Sequence, residues 1–201
     1  MAVKSKQEVA WSPERFPRVG LRYERDCQKT LMTSIPAYIH KLAQREYVCI
    51  WELMQDYVVR EGVKTILELG TRNGNSTRIF AEALLRTGGE IWTVDLNEPT
   101  WTKKQMRDFP NVHFVKSDVL KLEWDKKVDL VYIDDYHQRF HVFQELVKYS
   151  KVTNTIMLHD VLKIIYGRGG IIEAIEQWCY ENLKAYSVYP FNNCGLAVIH
   201  V

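Results

Sequence analysis

The segment Thr65-Ile66-Leu67-Glu68-Leu69-Gly70-Thr71-Arg72-Asn73-Gly74-Asn75-Ser76 constrains the fold more than any other stretch of the chain. An apolar run containing Glu68 opens onto two glycines four positions apart, and an amphipathic segment follows. This is the pattern of a buried parallel strand, a tight glycine turn and a helix start, which brings backbone N–H groups close to a ligand. The spacing is Gly-x-x-x-Gly, whereas a dinucleotide fingerprint needs Gly-x-Gly-x-x-Gly. The glycine that seats a pyrophosphate against the helix N-terminus is missing, and Glu68 would repel a phosphate while welcoming an amine or a cation.

Two further apolar runs end in acids. Glu90-Ile91-Trp92-Thr93-Val94-Asp95 places Asp95 at a strand tip 21 residues beyond Gly74, the position from which a carboxylate accepts hydrogen bonds from ribose hydroxyls. Val112 to Asp118 ends a third run, where Asp118 is placed to read an adenine amino group. Singly, each acid has a plainer role, as a helix cap or the partner of a surface Lys. Together they describe a ligand with a ribose, an adenine, an amino-acid end and a positive centre, and S-adenosylmethionine answers to that description.

Residues 65–160 resemble the class I S-adenosylmethionine-dependent methyltransferases, and 61–201 can be laid on that fold throughout. The resemblance rests on Glu68-Leu69-Gly70 with Gly74 and Ser76, then Asp95, Asp118, and Val131-Tyr132-Ile133-Asp134-Asp135-Tyr136-His137. The last segment is similar to the Ile-Asp-x-x-His of small-molecule O-methyltransferases, and Met157-Leu158-His159-Asp160 to the end of their fifth strand. It implies a doubly wound, mostly parallel, seven-stranded Rossmann-like sheet with the cofactor at the strand C-termini. The cofactor residues it implies are Glu68, Gly70, Gly74, Ser76, Asp95 and Asp118. It names no substrate.

The alternation along the chain agrees. A helix with Val48, Ile50, Trp51, Met54, Tyr57 and Val58 on one face is expected to end near Gly62. Strands near 65–69, 90–95, 112–116, 129–133 and 155–159 are separated by helices near 76–86 and 137–150 and by a segment around 100–108. A further helix near 170–183 follows. The runs Ala185 to Tyr189 and Leu196 to Val201 are joined by too few residues for a crossover, so they form a hairpin that adds one antiparallel strand. Residues 1–30 hold Pro13, Pro17, Gly20 and a net charge of +3, and read as an irregular basic arm ahead of a methyltransferase domain at 31–201. The remainder carries −1 of the chain's net +2, which argues against a large nucleic-acid surface. Nor does an Asn-Pro-Pro-Tyr-like motif follow the fourth strand.

No apolar run reaches the roughly 18 residues of a membrane helix, and Met1 to Lys6 opens no secretory pattern, so a cytoplasmic protein is expected. Cys27, Cys49, Cys179 and Cys194 show neither Cys-x-x-Cys pairing nor zinc spacing, and free thiols are expected, with Cys49 and Cys179 buried in helices.

Asp134 and Asp160 end neighbouring strands and should face one cleft, where they would hold Mg²⁺ or another divalent cation. Catechol-type O-methyltransferases use an Asp-Asn pair after the fifth strand, but this chain has Asp160-Val161. It resembles instead the cephalosporin-hydroxylase-like branch, whose acid pair maps onto His159-Asp160. The metal set implied is thus Asp134, His159 and Asp160. His137 is expected to open the helix after the fourth strand, as general base beside Asp134 or as a capping ring. His141 falls on a polar stripe with His137, Gln144 and Lys148 and is expected in solvent. Trp101, Trp124, Tyr136 and Tyr166 either wall a substrate pocket or cover the sheet edge, and Tyr166 to Gly170 reads as a lid. These features point to O-methylation of a small hydroxylated acceptor. The alternatives are a cofactor-binding protein of the same fold without methyl transfer, and a nucleotide- or NAD-binding domain. The chain is also a candidate homo-oligomer, through the arm's aromatics.

Overall fold

The computed structural model describes residues 50–99, 108–162, 170–190 and 195–201. The basic arm, the first part of the helical region before Ile50, Trp101, the 166–169 part of the expected lid, and Cys27, Cys49 and Cys194 lie outside the described residues.

Helix α1 (Ile50–Arg60) buries Ile50, Leu53, Met54 and Val58, the apolar stripe that the three-and-four spacing predicts. Strand β1 (Thr65–Leu69) leads into α2 (Asn75–Thr87), which ends at Gly88 in the left-handed conformation, with its N–H bonded to the Leu84 carbonyl. Strands β2 (Glu90–Asp95) and β3 (Val112–Lys116) follow. Then come β4 (Leu130–Ile133), α3 (Arg139–Tyr149) and β5 (Thr155–His159). Helix α4 (Ile171–Asn182) precedes the hairpin of β6 (Tyr186–Tyr189) and β7 (Leu196–His200).

The seven strands form one sheet in the order β3-β2-β1-β4-β5-β7-β6. Strands β3 to β5 are mutually parallel, and β7 runs antiparallel to both β5 and β6. The expected hairpin is thus present, with β7 inserted between β5 and β6. Strand β4 is buried at every position and β1 at all but its first, as a parallel sheet covered on both faces requires. Helix α1 packs on α2 and α3 on α4. On the α2 side, Phe80 meets Tyr132 edge-on, with ring centroids 5.0 Å apart.

Winding reverses between β1 and β4: the chain moves outward to β2 and β3, then returns across β1 to build β4 and β5. This is the switch point, and the crevice beyond the carboxyl ends of its strands is where such sheets bind ligands. Among the described residues, no helix is long and apolar enough to cross a membrane.

Candidate active site

The turn after β1 is built from unusual backbone. Gly70 (φ 98°), Arg72 (φ 45°) and Gly74 (φ 70°) all lie in the left-handed region. At Gly70 the requirement is also one of space, because a Cβ would lie 2.5 Å from the carbonyl oxygen of Asp134 and 2.8 Å from the Cα of Asp135. The end of β1 therefore touches the end of β4, across the switch point. Gly74 is the N-cap of α2 and supplies no side-chain cap, which leaves N–H groups of the first helical turn available.

Glu68 is fully buried and closed from solvent. The hydroxyl of Ser76 donates to its Oε1 at 2.5 Å, and that of Thr77 donates to Oε2. Burial raises its pKa to about 7, against the opposing hydrogen bonds from Ser76, Thr77 and Thr93. The carboxylate thus ties the strand to the first turn of α2, and Ser76 points its hydroxyl at Glu68. Thr71 and Thr93, both buried, share a 2.6 Å hydrogen bond that joins the turn to β2.

Asp95, half-buried at the tip of β2, accepts the backbone N–H of Arg72 on one oxygen and that of Asn97 on the other, both at 2.9 Å. It is locked beside the glycine turn and keeps lone pairs for further donors. Asp118 follows β3 and accepts the N–H of Leu120 at 2.9 Å, with Lys121 Nζ 3.4 Å from its other oxygen. That backbone hydrogen bond, chiefly, holds its pKa below the usual carboxylate value. Asp118 is therefore a turn cap paired with a surface Lys, at the same sheet end as Asp95.

Beyond β4 and β5 the polar groups converge. His137 Nδ1 lies 3.0 Å from the carbonyl oxygen of Asp135, which can only accept, so Nδ1 carries a proton. Nε2 then faces Asp160 Oδ2 at 3.0 Å and Asp134 Oδ1 at 3.5 Å. The hydrogen bond to Asp160, the main cause, raises the imidazole pKa against the opposing effect of burial. Asp160 is 7% exposed and holds φ at 59°, a left-handed conformation that Asp tolerates but seldom adopts. One ligand atom from each of Asp134, His137 and Asp160 lies within 4.8 Å of the others. His159 approaches from β5, its Nδ1 3.3 Å from Asp134 Oδ1 and 3.4 Å from Asp160 Oδ1, but the group of three is completed by His137.

Three expectations need correction. Helix α3 starts at Arg139 with Gln138 as N-cap, so His137 stands in the preceding loop, free of the helical ladder. His141 is not solvated: its Nε2 lies 3.0 Å from Asp135 Oδ2, and its ring meets Tyr136 edge-on at 5.4 Å. Of the stripe His137, His141, Gln144, Lys148, Gln144 is exposed, but Lys148 folds back onto three backbone carbonyls, while α3 turns Val142, Glu145, Leu146 and Tyr149 inward. Trp124 packs edge-on against Trp92 of β2. Thr71, Thr77, Thr93 and Glu145 were not singled out by the sequence.

A cavity of about 420 Å³ sits at the opposite sheet end, between the starts of β1, β2 and β3, lined in part by Lys64, Glu90, Asn111 and His113. It holds none of the converging acids.

The family pattern described as a methyltransferase domain matches residues 67–161, from the second half of β1 to just past Asp160. The sheet order and the β1 turn agree with that match. The chain has the methyltransferase fold. Solved structures share the fold at low identity. A Staphylococcus aureus protein provisionally named a caffeoyl-CoA O-methyltransferase is 16% identical with a TM-score of 0.62, over 90% of this chain and 98% of its own. The O-methyltransferase from Bacillus cereus, solved with S-adenosylhomocysteine, is 16% identical with a TM-score of 0.54, over 87% and 96%. An rRNA methylase from Streptococcus thermophilus is 11% identical with a TM-score of 0.53, over 74% and 93%. No curated protein matches the sequence. The methyltransferase fold thus hosts acceptors of different kinds, and the acceptor must be argued from the site.

Proposed function

We propose that the methyltransferase domain transfers the methyl group of S-adenosylmethionine to a hydroxyl oxygen of a small acceptor. The observation that carries this reading is the convergence of Asp134, His137 and Asp160 beside the Gly70 turn. The turn suits the cofactor: it has no Cβ at Gly70, leaves the first N–H groups of α2 uncapped, and sets Asp95 to accept ribose hydroxyls. When bound, the sulfonium supplies an electrophilic methyl group.

The protein's own part is to align the acceptor and remove its proton. Asp135 fixes the His137 tautomer through its carbonyl, and Asp160 accepts from Nε2 and stabilises the imidazolium once Nε2 has taken the hydroxyl proton. Buried Asp160, held at its strained φ, keeps that partner in place.

A second arrangement is favoured by the same three ligand atoms. Asp134, His137 and Asp160 would hold a divalent cation that orients the acceptor oxygen and lowers its pKa. Release of S-adenosylhomocysteine from S-adenosylmethionine and a panel of hydroxylated acceptors, with and without excess chelator, tests both. Turnover that survives chelation assigns His137 as base, and turnover lost on chelation and restored by a divalent cation assigns the metal. Cofactor binding with no turnover on any hydroxylated acceptor would favour a cofactor-binding protein without methyl transfer.

A further inference from the structure

Asp134 and Asp135 are consecutive but serve different neighbours. Asp134 faces His137 and His159, whereas Asp135 turns to His141 on the first turn of α3, and Glu145 stands one turn further on. One ligand atom from each of Asp135, His141 and Glu145 lies within 4.8 Å of the others. Glu145 is 0% exposed, and among the described residues neither of its carboxylate oxygens has a hydrogen-bond partner, nor has Asp135 Oδ1.

Buried carboxylates without donors are costly, and the neighbouring donors are committed elsewhere. Lys148, three residues beyond Glu145, gives its three protons to the carbonyls of Val119, Leu120 and Leu122. The Tyr149 hydroxyl donates to the Val119 carbonyl. His141 Nε2 offers at most one proton to the two carboxylates. It lies 3.0 Å from Asp135 Oδ2 and 3.8 Å from Glu145 Oε1. These separations are close to the roughly 3.3 Å between ligand atoms placed about 2.0–2.1 Å from a tetrahedral Zn²⁺. The edge-on Tyr136 ring fixes the imidazole with Nε2 toward the two acids.

We propose that Asp135, His141 and Glu145 form a second cation site, separate from the Asp134–His137–Asp160 group, that takes a borderline divalent metal of the Zn²⁺ type. One imidazole with two carboxylates suits Zn²⁺ better than Mg²⁺, which keeps several waters that a closed site around Glu145 cannot admit. Such an ion pins the first turn of α3 to the loop that bears Asp134 and His137, and so sets the geometry of the neighbouring group. The inference is independent of methyl transfer.

The test uses the full chain carrying Asp160→Asn, which weakens the first group; Asn readily adopts the left-handed conformation found at 160. After chelator stripping and dialysis, Zn²⁺ is titrated in competition with a chromophoric chelator. One Zn²⁺ equivalent is expected to bind, and adding either Glu145→Gln or His141→Ala is expected to weaken it by about tenfold or more. Circular dichroism melts confirm that each variant compared is folded, and two independent ligand changes guard against the collapse of one. If the Asp160→Asn protein binds no Zn²⁺, or binds it equally with and without Glu145→Gln and His141→Ala, the proposal is overturned, and Asp135 and Glu145 are a carboxyl pair sharing a proton. Neither result depends on whether S-adenosylhomocysteine binds.

Discussion

Glu68 has no access to solvent, so its charge is set by what Ser76, Thr77 and Thr93 give back against burial. Its pKa rises from an ordinary 4.5 to about 7 in the folded state. A raised carboxyl contributes stability that is fully present below pH 4.5, where both states are protonated, and that is lost as pH rises toward 7. The loss is on the order of 3 kcal/mol. Glu68→Gln removes this group's titration, and urea unfolding at a series of pH values should show a flatter profile between pH 4.5 and 7 than the parent. Identical profiles would show that Glu68 titrates normally. Gly70 fails differently when changed. A Cβ 2.5 Å from the Asp134 carbonyl oxygen, on a backbone at φ 98°, must push β1 from β4 at the switch point. Gly70→Ala is expected to cost about 1–3 kcal/mol and to abolish the stabilisation of the fold by S-adenosylhomocysteine. Retention of both would mean that the turn relaxes freely.

At the scale of elements, the packing of α2 on the sheet rests on Phe80, 0% exposed and in edge contact with Tyr132. Phe80→Ala should destabilise the domain by about 3–5 kcal/mol, read from denaturant unfolding. A cost under about 1 kcal/mol would mean that the site collapses around the smaller side chain. The strands were legible because parallel strands covered on both faces are near-continuous apolar runs, and β1, β4 and β5 are such runs. The β6–β7 hairpin was legible because the intervening chain is too short for anything else. The start of α3 was not, because nothing in Asp135-Tyr136-His137-Gln138 fixes where helical geometry begins, and α3 has no side-chain cap. The inward turn of Glu145 was equally hidden: a Glu on an amphipathic helix reads as a solvent residue until Asp135 and His141 are known to face it. The acids at the strand ends were visible as a set, but their division of labour was not. Asp95 braces the turn, Asp118 caps a loop, Glu68 is sealed in, and Asp134 with Asp160 meets His137.

For the molecule as a whole, the proposed cofactor recognition and proton removal fall on opposite sides of the switch point, where Gly70 lies against Asp134. Binding and turnover should therefore be separable by mutation. S-adenosylhomocysteine at about 100 times its Kd should stabilise the fold by roughly 2.7 kcal/mol, and NAD should do nothing comparable, since the Gly-x-x-x-Gly turn lacks the glycine that seats a pyrophosphate. Asp95→Ala should remove most of that shift, because the carboxylate braces Arg72 N in the turn and is the proposed acceptor of the ribose hydroxyls. His137→Ala should leave the shift nearly intact, because the ring packs beyond β4 and β5 with Asp134 and Asp160, on the far side of the switch point. Its turnover should fall by about 10²–10⁴-fold, the range for loss of a positioned base. Thermal melts with each ligand, alongside single-turnover assays on the same preparations, read both quantities. If His137→Ala lost the thermal shift as completely as Asp95→Ala, the two halves would not be independent. His137 would then belong to the cofactor cradle, and proton removal would fall to Asp134 or His159.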